Sequence, residues 1–130
     1  MEYYFCKSWF RAKKRATELW NRETAETAHR EGDLYTVLVG SRESPTHFLE
    51  VTRNTVTVGF LDDNLREKMT YGFEITTEGK LFLSMATYRE FVGNNDSVAS
   101  GTTYVFKQDG MVSIIRETFD PYLREESTGT

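Results

Sequence analysis

The sequence predicts an α+β fold in which an N-terminal amphipathic helix packs on a curved antiparallel β-meander, a part-barrel of about six to seven strands. Three observations predict it. Apolar residues recur at helical spacing before Gly32, alternating apolar and polar residues follow it, and short turn motifs separate the alternating segments. A closed barrel with the helix plugging one end is the alternative arrangement of the same elements.

The length of 130 residues is sufficient for one hydrophobic core. We assign residues 1–119 to a single α+β domain and residues 120–130 to a flexible charged tail. No apolar run approaches the roughly 20 residues that a membrane-spanning helix needs. Acidic Glu2 stands where a secretory signal carries positive charge, and the single cysteine, Cys6, fits a reducing compartment. We therefore expect a cytoplasmic protein without membrane contact.

The helix is predicted to begin at Trp9, because the hydroxyl of Ser8 can accept a hydrogen bond from a free N–H of the first turn. Its apolar residues recur at spacings of three and four and form one stripe. The members of this stripe are Trp9, Ala12, Ala16, Leu19 and Trp20. We expect the stripe to face the core and the helix to end before Gly32.

Short segments rich in β-branched and aromatic residues predict the strands. They lie at 34–40, 47–53, 55–61, 68–76, 80–88, 102–108 and 111–118. The connections are too short for parallel crossovers, so the sheet should be antiparallel. Within 68–76, Met69, Tyr71 and Phe73 fall on one face and alternate with polar residues. We expect the helix to cover that apolar face.

Enzymatic and metal-binding functions find little support in the sequence. One cysteine and two histidines do not form a metal-ligand cluster, and neither a phosphate-binding glycine loop nor a G-x-S-x-G motif occurs. We interpret Asp62 and Asp63 as turn-capping residues rather than cation ligands. The prediction is a protein without catalytic residues, metal or cofactor.

Charge is distributed unevenly along the chain. The net charge is −4, although five basic residues lie within positions 7–15, so a basic segment is attached to an acidic body. The glycine-bounded polar loop at 93–101 is a second recognition candidate, because loops on rigid sheets often bind partners. The candidate binding residues are Lys7, Arg11, Lys14, Arg15, Asn94, Asn95 and Asp96.

We expect a non-catalytic binding protein that acts by protein–protein contact, as an inhibitor, immunity protein or adaptor does. Its surplus of aromatic residues, Tyr88 and Tyr104 among them, exceeds what one small core needs and suits a partner surface. One alternative is a small-molecule pocket between Trp9 or Trp20 and the strand residues Tyr71 and Phe73. Weaker alternatives are nucleic-acid contact through the basic cluster and a homodimer formed through an exposed edge strand.

Overall fold

The computed structural model of the chain describes residues 2–130, which form twelve β-strands and one α-helix. Ten strands make one antiparallel sheet in the order β12-β11-β10-β9-β8-β7-β6-β5-β1-β4, while β2 and β3 pair separately. The bounds are Tyr3–Cys6 (β1), Trp9–Phe10 (β2), Arg15–Ala16 (β3), Leu19–Trp20 (β4), Arg22–Glu31 (α1), Tyr35–Val39 (β5), His47–Val51 (β6), Thr55–Leu61 (β7), Glu67–Ile75 (β8), Leu81–Phe91 (β9), Val98–Phe106 (β10), Val112–Thr118 (β11) and Leu123–Gly129 (β12).

The predicted fold class is wrong. Residues 9–20, predicted to be helical, contain the short strands β2, β3 and β4, and the helix is confined to Arg22–Glu31. A ten-strand antiparallel sheet with one short helix therefore replaces the helix on a six- to seven-strand meander. The alternative of a closed barrel is also wrong, because β12 and β4 lie at the two edges of an open sheet.

The apolar stripe at helical spacing misled the prediction because part of it also fits a hairpin. Trp9 and Ala16 are seven residues apart, which places them two turns apart on a helix, but here they are cross-strand partners in β2 and β3. Ser8 is not a helix cap, since its hydroxyl lies 2.9 Å from that of Thr17 across the same hairpin. The aromatic side chains in this segment favour the strand conformation.

The helix that does form has clear boundaries in the sequence. Its N-cap is Asn21, whose side-chain oxygen accepts a hydrogen bond from the backbone N–H of Thr24 at 2.8 Å. Gly32 ends it in the left-handed conformation, with φ of 76°. Ala25 and Ala28 are its buried residues. At ten residues α1 is far too short to cross a bilayer, and the described part of the chain contains no helix long and apolar enough to do so.

The core lies under the β2–β3 hairpin, which folds back from β1 and β4 over one face of the sheet. Trp9 stacks on Phe48 with their ring centroids 6.3 Å apart. Both side chains are buried, and so is the free thiol of Cys6. Burial raises the pKa of this thiol to about 11. The core cluster consists of Cys6, Trp9, Leu38, Phe48 and Leu61.

The prediction that the strands after Gly32 pair antiparallel is confirmed. Each of the seven strands predicted there corresponds to one of β5 to β11, and consecutive strands pair antiparallel. Residues 120–130, expected to form a flexible tail, include β12, which pairs with β11 along its length and is exposed throughout. The covering of the meander differs from the prediction, because α1 contacts β1 and β5 at one end of the sheet and not β8.

The two faces of the sheet have different covers, and we call them the helix face and the hairpin face. The helix face carries Phe5 and Tyr35 and packs against α1, where the rings of His29 and Tyr35 lie 5.8 Å apart. The hairpin face carries Leu38 and Phe48 and lies under β2 and β3. α1 covers the β1 and β5 end of the helix face, whereas the hairpin reaches along the opposite face as far as Glu67 of β8. Within the described residues, the helix face of β8 to β11 has no second layer.

Candidate functional site

The structure places the four basic candidates from the sequence on or beside the β2–β3 hairpin rather than on a helix. Lys7 pairs with Glu18, its Nζ atom 3.4 Å from a carboxylate oxygen. Arg15 lies in β3 and is exposed. Arg11 and Lys14 belong to the turn between β2 and β3 and reach across to the sheet. These cations do not form one continuous surface.

Arg11 is bound by two carboxylates of the same chain. Its guanidinium donates to Glu50 at 2.8 Å and to Glu67 at 2.9 Å, and it lies 5.0 Å from the centre of the Phe48 ring. Burial acts to lower the pKa of Arg11, but the hydrogen bonds to Glu50 and Glu67 outweigh it and raise the pKa above its ordinary value. Arg11 therefore fastens the hairpin to β6 and β8.

Lys14 joins the two candidate regions that sequence analysis treated separately. Its Nζ donates to the carboxylate of Asp96 and to the backbone carbonyl of Asn64, both at 2.9 Å. Asn95 shapes the same loop, since its side-chain oxygen accepts from the backbone N–H of Ser97 at 2.8 Å. Asn94 is exposed in this loop. The structure thus brings Lys14 and Asp96 together and leaves Lys7 and Arg15 apart from them.

Arg66 completes the attachment of the loop. It donates to the backbone carbonyls of Gly93 and Asn95 and to the carboxylate of Asp62. Partial burial acts to raise the pKa of Asp62, but hydrogen bonds from the backbone and side chain of Arg66 and the backbone of Asn64 lower it overall. The interpretation of Asp62 as a turn-capping residue agrees with these contacts.

A cleft of about 550 Å³ lies between the hairpin, β8 and the 93–97 loop. Trp9 and Phe91 supply apolar walls, and Arg11, Lys14 and Arg89 line its polar part. Arg89 donates to the hydroxyl of Thr70 at 2.8 Å. These cations are engaged with groups of the chain itself, so the cleft is better suited to holding the hairpin and loop in place than to binding a free anion.

A second candidate region lies on the sheet itself, where paired residues of neighbouring strands form rows of side chains that run across the sheet. Directly paired residues of neighbouring strands share a face. On the hairpin face such a row reads Leu38, Phe48, Gly59, Thr70, Thr87, Thr103 and Ile115. It changes from apolar to threonine where the hairpin stops covering it, as a solvent-exposed sheet face does.

The equivalent row on the helix face makes no such change. It reads Phe5, Val37, Leu49, Val58, Tyr71, Ala86, Tyr104 and Ile114. Eight strands in succession therefore present an apolar or aromatic side chain on this face, although α1 covers only the end at β1 and β5. We call the uncovered part, on strands β7 to β11, the open apolar face.

Aromatic rings pack edge to face across the open apolar face. The ring centroids of Phe60 and Tyr71 are 5.1 Å apart, and those of Tyr88 and Tyr104 are 6.0 Å apart. Tyr88 is 44% exposed despite these contacts. The hydroxyls of Tyr71 and Tyr88 lie 3.4 Å apart, and this hydrogen bond is the main cause that raises the pKa of Tyr88. The surface is ordered, aromatic and accessible.

Tyr88 and Tyr104 of this surface belong to the surplus aromatic residues of the sequence, whereas Tyr71 and Phe73 were predicted to contact a helix. Their alternation along β8 was the available signal for the face, whereas the absence of a covering helix depends on the fold of residues 9–20. The predicted pocket between Trp9 or Trp20 and Tyr71 does not form, because Trp9 lies on the opposite face and Trp20 of β4 is five strands away from β8 on the same face.

Within residues 2–130 no group of three or more histidine, cysteine, aspartate or glutamate side chains is arranged to hold a metal ion. Comparison of the chain with protein-family models, curated proteins and solved structures gives no match.

Proposed function

We propose that this chain is a non-catalytic binding protein that acts by protein–protein contact, and that its binding surface is the open apolar face. The observation that carries the proposal is the unbroken apolar row on the helix face beyond the reach of α1. A sheet with one apolar face is stable when a second layer buries that face. Residues 2–130 provide that layer only over β1 and β5.

The chemistry of this surface favours a protein partner over a small molecule. Interfaces between proteins are enriched in tyrosine and phenylalanine and depleted of charge at their centres. Tyr71, Tyr88 and Tyr104 combine large apolar rings with hydroxyl groups that can bond to a partner's backbone. A broad sheet surface offers contact area, whereas a small ligand needs a concave pocket.

Nucleic-acid binding receives less support. Three cations of the basic segment, Lys7, Arg11 and Lys14, pair with carboxylates of the same chain. Phosphate recognition needs cations that can exchange their counterions for the nucleic acid. A cytoplasmic location is also part of the proposal, and it is supported by the buried Cys6, which is the single cysteine of the sequence and so cannot form a disulfide within the chain.

The test uses two variants of neighbouring residues on β9. Tyr88→Lys places a charge on the open apolar face, and Thr87→Lys places the same charge on the hairpin face. Native mass spectrometry of tagged protein isolated gently from its own host should find a bound protein chain with the wild type and Thr87→Lys. Tyr88→Lys should lose that chain. A bound small molecule, or a bare chain of 15.1 kDa in the wild type, would contradict the proposal.

A further inference from the structure

We infer that the partner seated on the open apolar face is a second copy of this chain, so that two sheets pack face to face as a homodimer. This inference rests on the proposed function, because it names the occupant of the same surface. It is carried by three properties, which are the surface area of the chain, the uncharged centre of the face and the extent of the face over neighbouring strands.

The chain exposes more surface than a typical monomeric protein of its mass. The accessible surface is 8559 Å². A monomeric protein of 15.1 kDa is expected to expose about 7,100 Å². The excess is roughly 1,500 Å², and a pair of chains that buried it would form an interface of roughly 3,000 Å² in total, within the range of stable homodimers.

The charge distribution makes the face complementary to itself. The net charge is −4, so two copies repel each other wherever their acidic surfaces meet. The centre of the open apolar face is uncharged at Met69, Tyr71, Ala86, Tyr88 and Tyr104, and the charged residues on the same face, Glu90 of β9 and Arg116 of β11, lie towards its margin. A two-fold axis through this centre brings uncharged surface against uncharged surface and leaves the acidic groups outside.

The geometry of a sheet permits the same surface to serve both partners. Two sheets pack about 10 Å apart with their strands inclined by about 30° to each other, and the inner side chains interdigitate. The inner surface must then be apolar on both sheets. Within the described residues, the surface with this chemistry over several strands is the open apolar face itself, since the opposite face carries Thr70, Thr87 and Thr103.

Edge pairing is a poorer route to a dimer. The edge strand β12 carries three consecutive charged residues, Arg124, Glu125 and Glu126, and all of its residues are exposed. Charged side chains on an edge strand discourage the addition of another strand. The homodimer expected here is therefore a sandwich of two sheets and not a continuous sheet across two chains.

The test is sedimentation equilibrium of the purified chain over a wide concentration range. The wild type should sediment as a dimer of 15.1 kDa chains. Tyr88→Lys should raise the dimer dissociation constant by roughly 100-fold or more, because the symmetric interface carries the substitution twice. Thr87→Lys, on the opposite face of the same strand, should leave the constant unchanged. A second pair, Tyr104→Lys and Thr103→Lys, repeats the comparison on β10, and far-UV circular dichroism verifies the fold of each variant.

The outcomes separate this inference from the function on which it rests. A wild type that is monomeric at every concentration, while a different protein binds in the host and is lost in Tyr88→Lys, overturns the second copy and leaves the proposed function standing. A dimer that persists in both Tyr88→Lys and Tyr104→Lys, with each variant folded, overturns the open apolar face as the location of the interface. A monomer that binds no protein chain in the host overturns both.

Discussion

The two ends of the sheet differ in how many layers they have. At the β1, β5 and β6 end, α1 covers one face and the β2–β3 hairpin covers the other, so Leu38 and Phe48 are fully buried. At the β9 to β11 end the described residues form a single layer, whose residues are mostly half-buried. The first end contains the interactions that stabilise the chain, and the second presents the surface on which we propose a partner binds.

The largest expected effect is a loss of stability at the layered end, which is the β1, β5 and β6 end of the sheet that is covered on both faces. Phe48→Ala removes a fully buried ring that stacks under Trp9, and it should lower the free energy of unfolding by about 3–5 kcal/mol. Phe106→Ala removes a half-buried ring from the open apolar face and should cost about 1–2 kcal/mol when the chain is monomeric. Urea denaturation of both variants at low protein concentration measures the difference. Equal losses would contradict the distinction between the two ends.

A pair of glycines on the hairpin face sharpens the comparison. A Cβ atom at Gly59 would lie 2.3 Å from the ring of buried Phe48, so Gly59→Ala should destabilise the protein by about 1–3 kcal/mol. At Gly72, one strand further along, the nearest atom to such a Cβ is 3.8 Å away on Met85. Gly72→Ala should change stability by less than about 1 kcal/mol. Thermal denaturation of the two variants checks this order. A larger loss of stability for Gly72→Ala than for Gly59→Ala would contradict the close contact between Gly59 and Phe48.

The helix cap tests a smaller contribution at the layered end. Asn21→Ala leaves the backbone N–H of Thr24 without its side-chain acceptor and should reduce the free energy of unfolding by about 1 kcal/mol. The self-association constant should not change, because α1 lies away from the open apolar face. A variant that lost stability and dimerisation together in proportion would show that the two ends are not independent.

The smallest expected effect is an acid dependence. The pKa of Asp62 is lower in the folded chain than its ordinary value near 4, so its ionised form favours the folded state. Its contribution is complete above the unfolded pKa and is lost as the pH falls through the folded pKa. Asp62→Asn should therefore flatten the decrease in stability below about pH 4, as followed by urea denaturation across pH. An unchanged acid profile would rule out this contribution.

The sequence predicted the structure correctly where the interacting residues are close together along the chain. Alternation and turn residues predicted the seven strands after Gly32, because each strand pairs with its neighbour in the chain. The segment from Trp9 to Trp20 failed, since cross-strand pairing of Trp9 with Ala16 and helical stacking share one spacing. The partners of Arg11 were also not predictable, because Glu50 and Glu67 lie 39 and 56 residues away along the chain.

The wrong prediction for residues 9–20 also caused the wrong prediction that a helix covers the open apolar face. The alternation in β8 correctly separated Met69, Tyr71 and Phe73 from the polar residues between them. Alternation identifies an apolar face but not the element that covers it. Once residues 9–20 fold as a hairpin on the opposite face, the described chain has no helix left to cover the aromatic side chains of β8.

The two methionines on opposite faces of adjacent strands allow the most direct test of the claim that another copy of the chain covers the open apolar face. Met69 lies on that face beside Phe60 and Tyr88, whereas Met85 is 41% exposed on the hairpin face. Hydroxyl-radical footprinting of the purified protein, read by mass spectrometry over a concentration series, measures the oxidation of each. We predict that Met69 becomes protected several-fold as the chain associates while Met85 stays reactive. Equal protection of both methionines, or no change at Met69, would contradict the account.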